Sequence, residues 1–232
     1  MKNIITFTIC SFILLSFSCK KNTPEPISPP PAPVVDSLET NNFDYISFKF
    51  EDKIYICNQT HSSGNSNQDA NRKVTISSDG ARNWAGNIDS VLYAQSYGIS
   101  SKDRKIYFDF IIFKKYAKKD CTYNLFYVPQ KISDLFNTGE YKFPVDFGSQ
   151  NTLDGVVIKL RDGNQFYSTT NEDFTWPELK FKQETQNNSK LNILKIEKNL
   201  KHGFHYIEVT FNCQMFDNNG VSTPLENGQL EI

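Results

Sequence analysis

The chain has 232 residues, with 25 Lys+Arg against 26 Asp+Glu and a formal net charge of -1. Such a balance supplies no basic face, which excludes a nucleic-acid partner held through phosphate contacts. Aromatic residues reach 14%, with 19 Phe and 11 Tyr beside 2 Met, a composition that suits pleated, half-buried strands.

Residues 1–18 read as an export signal: Lys2 precedes an apolar run from Ile4 to Ser18, with small and apolar residues leading into Cys19. The run is too short for a membrane-spanning helix, which takes roughly 18 or more apolar residues. Leu15-Ser16-Phe17-Ser18-Cys19 resembles a bacterial lipobox, which implies acylation of the Cys19 thiol and a mature chain that starts there. Cleavage would remove one lysine and no acid, so the mature chain stays near neutral.

Residues 19–36 form the expected lipidated cysteine and linker. Six of the 10 prolines fall between Pro24 and Pro33. Proline fixes φ and removes amide donors, so this stretch favours extended polyproline II over a sheet. At about 3.1 Å per residue it would hold a domain up to roughly 50 Å from its attachment point.

From Asp44 the pattern changes to a period of two, and residues 37–232 are expected to form one domain. Ile46, Phe48 and Phe50 share a face, and Lys53–Cys57 resumes after Glu51-Asp52, which predicts a hairpin. Residues 58–71 contain almost nothing apolar and are expected to be an exposed loop. Lys73–Ser77 and Ile88–Tyr97 are strand candidates around a turn at Asp79-Gly80. Lys105–Phe113 is apolar on both faces, which places it mid-sheet with cover on each side. The segment Lys131–Asn137 is the candidate for a single short helix. Gly155–Leu160 and Gln165–Thr169 flank the hairpin signal Asp162-Gly163. Leu191–Glu197 is a further strand. In His205–Met215, apolar Ile207, Val209, Phe211, Cys213 and Met215 alternate with polar neighbours, so one face is dry and Cys213 points inward. Val221–Leu225 and Gln229–Ile232 complete the set. Many short strands and almost no 3.6-residue period predict an all-β antiparallel sandwich, with a closed β-barrel as the alternative.

Cys10 leaves with the signal. Cys57, Cys121 and Cys213 allow three disulfide pairings, each with one thiol left over, or none if all three are small buried residues. His202 and His205 form H-x-x-H at the entry to a strand, where residues three apart face opposite ways, and no third ligand lies near. His61 stands in the Ser/Asn-rich stretch and is expected in solvent. Glu51-Asp52 and Glu172-Asp173 are adjacent acids that turn solvation explains. The oxygen-rich turns at Asp162-Gly163-Asn164 and Asp217-Asn218-Asn219-Gly220 lack the terminal bidentate Glu of a calcium loop. Trp84 and Trp176 are expected to fill gaps between sheets. In the alternative reading Trp176, with Asp173 and Glu178 beside it, stacks on a sugar ring. No nucleophile elbow, P-loop, zinc-type pair or dinucleotide fingerprint occurs, so neither an enzyme nor a cofactor is expected.

Phe48–Tyr55 (FKFEDKIY), Ile132–Phe143 (ISDLFNTGEYKF), Phe166–Thr169 (FYST) and Val209–Ile232 resemble segments of small Bacteroidota lipoproteins of unknown function. Their first hairpin carries an Asp/Asn-Gly-Lys turn, where Glu51-Asp52-Lys53 stands here without glycine. The resemblance implies a β-rich, lipid-anchored outer-membrane domain with no assigned activity. A non-catalytic domain that binds or scaffolds an envelope protein is expected, with a carbohydrate-binding accessory protein, its partner a glycan, as the alternative. The resemblance supplies no catalytic residues.

Overall fold

The computed structural model describes residues 44–171, 181–198 and 205–232, which belong to a unit running from Thr40 to Ile232. Alternation puts Ile46, Phe48 and Phe50 of strand β1 (Tyr45–Phe50) inside, and the chain turns at Glu51-Asp52 into β2 (Lys53–Cys57). Both turn residues have positive φ, 49° and 61°, as a type I′ hairpin turn requires. No glycine supplies that freedom. Instead the acids are held by their side chains: Glu51 accepts from the Tyr167 hydroxyl at 3.2 Å, and Asp52 pairs with Lys49 at 3.2 Å.

Residues 58–71 are not a loop. Gln59–Asp69 forms β3, an exposed strand paired antiparallel with β6 (Ser90–Ser100) at the border of the sheet. Its backbone makes the pairing while its side chains stay in water, so no apolar alternation marks it. The turn at Asp79-Gly80 is present, with the Gly80 amide donating to Ser77 O at 2.9 Å. It joins β4 (Lys73–Ile76) to a short β5 (Arg82–Ala85), an element the periodicity does not reveal.

Strand β7 (Ile106–Ala117) lies between β6 and β11 (Gly155–Asp162), mid-sheet as its double apolar pattern predicts. Then come the hairpin β8 (Cys121–Asn124) and β9 (Phe126–Pro129), one 3-10 turn at Ile132–Leu135 where a short helix is expected, and β10 (Gly139–Tyr141). The hairpin signal at Asp162-Gly163 is met by β11 and β12 (Gln165–Ser168). Strands β13 (Lys190–Lys198), β14 (His205–Asp217) and β15 (Ser222–Glu231) complete the fold. Val221–Leu225 and Gln229–Ile232 are therefore one strand, not two. Asn227-Gly228 is an irregularity inside it, and a Cβ on Gly228 would lie 2.4 Å from the Phe211 ring.

The protein is an all-β antiparallel sandwich made by one curled sheet, in the order β2-β1-β15-β14-β12-β11-β7-β6-β3. Strand β13 lies along the rest of β14 and carries β10. The sheet is a half-barrel, since β2 and β3 end the path without pairing with each other. The curl brings β1 over β7: Phe48 and Phe108 have ring centroids 5.5 Å apart, and Phe108 and Phe211 of β14 are 5.8 Å apart. The Tyr55 hydroxyl donates to Asp162 at 2.9 Å, tying the first hairpin to the β11–β12 turn.

The second face of β6, β7 and β11 carries a smaller core of Leu92, Ala94, Phe113 and Val157. Phe147, from the segment before β11, covers it with its ring centroid 4.3 Å from that of Phe113. That segment is irregular, so amide side chains serve where backbone pairing stops. Wholly buried Asn151 accepts from the Gly148 amide at 2.7 Å and donates to Asp69 O at 2.8 Å. Gln183 donates to Phe143 O at 2.9 Å, and Gln186 donates to Thr169 O at 3.1 Å and Gln214 O at 2.8 Å. Buried backbone groups that would otherwise lack partners are thereby satisfied.

Candidate functional site

A strand that outruns its neighbour leaves backbone groups open along one edge. β11 begins at Gly155 opposite Phe113, whereas β7 continues to Ala117. The Asp154 carboxylate covers the first open amide, accepting from Lys115 N at 2.8 Å. The remaining space, bordered by the 3-10 turn and β10, is a cleft of about 320 Å³. Lys114, Asp134, Glu140, Tyr141, Lys142 and Asp154 supply its polar lining. The volume is at the small end of ligand sites.

Local hydrogen bonds hold the walls. Lys114 donates to Asp134 O at 3.1 Å. The Tyr141 hydroxyl accepts from the Asn137 amide at 2.7 Å and donates to Leu135 O at 3.3 Å, which fixes the turn against β10. Burial pushes the Tyr141 hydroxyl pKa up, with the Asn137 amide opposing. Tyr116 stays protonated for a stronger reason: its hydroxyl is buried, and the Asp134 and Asp154 carboxylates add to that upward push. That hydroxyl finds no hydrogen-bond partner among the described residues. Three carboxylates and two ammonium groups equip the cleft to hold a small polar molecule by charge and hydrogen bonds.

Among the described residues, the candidates read from the sequence are not brought together. Cys19, His202, Glu172, Asp173, Trp176 and Glu178 lie outside the described residues. Trp84 falls on β5 opposite Val74, and His205 opens β14 opposite Lys198. His61 is not in a loop but in β3, exposed and edge-on to Tyr107 with ring centroids 5.0 Å apart. The carboxylate of Asp217 accepts from the backbone of Asn219 at 2.9 Å and Val221 at 2.8 Å, as a turn residue does. Among the described residues no group of three or more His, Cys, Asp or Glu is placed to hold a metal ion.

Cys57, Cys121 and Cys213 all carry free thiols. Cys213 is buried beside Met215, with the sulfurs 3.7 Å apart, and burial raises its pKa. Burial also pushes the Cys57 thiol up, to about 12, with Asp103 adding to the effect. Cys121 is only half-buried and donates to Ala117 O at 3.5 Å. The thiolate is the reactive form, so a raised pKa and lack of access act together. In the folded protein at mildly alkaline pH, a maleimide is expected to label Cys121 first, with Cys57 and Cys213 reacting only on unfolding. Peptide mass mapping of the quenched reaction checks this, and early labelling of Cys213 would contradict the placement.

No known family model, curated protein or solved structure matches the chain. The cleft was hidden in the sequence because its residues come from three stretches far apart in the chain, 113–114, 134–142 and 154–155. Read singly, they are the end of a mid-sheet strand, a short helical segment with the residues after it, and the start of another strand.

Proposed function

We propose that this is a lipid-anchored bacterial envelope protein whose sandwich is a non-catalytic binding module on a stiff stalk. The observation that carries the reading is the apolar run closing on Leu15-Ser16-Phe17-Ser18-Cys19, followed at once by the proline-rich stretch. A single acyl chain holds a protein only marginally, so the several chains of a bacterial lipoprotein would fix it at the outer membrane. The cleft beside Asp134 and Asp154 supports binding as the domain's work, since it combines charge of both signs in a concave site.

Metabolic labelling of cells with a palmitate analogue tests the attachment. The parent chain is expected to take the label and sediment with membranes. The Cys19→Ala variant is expected to lose both properties. Unchanged labelling in that variant would remove the reading.

A further inference from the structure

We propose that the β8–β9 hairpin is a second, non-covalent membrane contact, a tip that rests in the surface of an anionic bilayer. The hairpin forms its own two-stranded sheet, separate from the curled one. Phe126 and Val128 pack against the main core, so the remainder is presented on a rigid base. At its turn Leu125 is 89% exposed, and Tyr123 beside it is 67% exposed. Tyr123 and Tyr127 face each other across the strands with ring centroids 5.0 Å apart.

The turn residue is the informative one. Leu125 has φ of 65°, the left-handed region that Asn or Gly occupies readily and a larger side chain enters only at a cost. Folding stability alone would favour Asn there. An exposed leucine in that backbone costs stability twice, once through strain and once through apolar surface left in water.

Charge identifies the occupant. From Lys118 to Lys131 the sequence carries three lysines, Lys118, Lys119 and Lys131, and one acid, Asp120. These cations lie at the base of the hairpin, where the Gln130 amide donates to Asp120 O at 3.0 Å. Lys118 sits over the Tyr127 ring at 5.1 Å. Four strand residues at about 3.3 Å each set the tip roughly 13 Å beyond that base. An apolar tip, a pair of tyrosines and the lysines that flank the hairpin match hydrocarbon, interface and headgroup in turn. Preference for a bilayer over a protein partner also rests on the anchored reading above.

The test uses the mature chain from residue 19 with Cys19→Ala, so that no lipid contributes, and co-sedimentation with vesicles. Binding is expected to vesicles of phosphatidylethanolamine with phosphatidylglycerol, to weaken as salt rises, and to be much lower on phosphatidylcholine alone. Leu125→Asn is expected to cut the partition coefficient about tenfold while leaving thermal stability equal or higher, because Asn suits the left-handed turn. Tyr123→Ser is expected to weaken binding as well. Absence of binding by the parent chain, or equal binding by both variants, overturns the proposal. So does a tip that captures an envelope protein while ignoring vesicles. Palmitate labelling reports on Cys19 independently, so failure of the tip and failure of the anchor are separable results.

Discussion

Phe108→Ala is expected to lower the unfolding free energy by about 4 kcal/mol, the range for removing a phenyl ring from a packed core. Phe108 is fully buried near the start of β7. Its ring lies between Phe48 of β1 and Phe211 of β14, so it is where the two halves of the curled sheet meet. Phe211 has little freedom to collapse into the void, because Gly228 already lies against its ring. Phe108→Leu keeps much of the volume and is expected to cost about 1.5 kcal/mol. Urea denaturation measures both, and the slope should stay constant while the midpoint falls. A midpoint for the alanine variant within error of the parent would mean that the two halves do not close on this ring.

Asn151→Ala is expected to cost about 3 kcal/mol through a polar mechanism. Asn151 holds the covering segment to the end of β3 by three side-chain hydrogen bonds, to Gly148 N, Asp69 O and Gln68 Oε1. Alanine removes all three and leaves polar groups in a dry site. It also places a Cβ without any compensating bond at φ of 54°. Asn151→Gly separates the two costs. Glycine accepts the left-handed backbone, so it is expected to be less damaging than alanine by about 1 kcal/mol while still losing the hydrogen bonds. Amide exchange provides a local check, since the Asn71 N–H donates to Asn151 O and should exchange faster in both variants. Equal stability of the alanine variant and the parent would show that the segment does not depend on this residue.

The parts of the fold that were legible in the sequence are those whose side chains record burial. β14 has a strict dry face, and β7 is apolar on both sides because two cores press on it. β3 left no such record, since its contribution to the sheet is made by backbone groups. Asn227-Gly228 looked like a turn for a sound local reason. Asn227 does adopt a positive φ of 53°, but the extra residue is absorbed as a bulge against Phe211. The hairpin β8–β9 was missed because Tyr123, Leu125 and Tyr127 leave its outward surface as apolar as its inward one. The cleft depends on strand β7 overrunning β11, a matter of register between distant segments that no local pattern encodes.

The two ends of the described domain meet in one strand pair, and this sets the order in which the molecule comes into being. β1 takes β15 as its neighbour, Tyr45 opposite Glu231, so the earliest described strand has to wait for the latest before it is hydrogen-bonded on both sides. Pairings of such high contact order make a chain slow to fold, because loop-closure entropy is spent before the distant strands reward it. If the chain is exported as proposed, that delay is an advantage: the polypeptide would cross the membrane before it has a shape that could jam the channel.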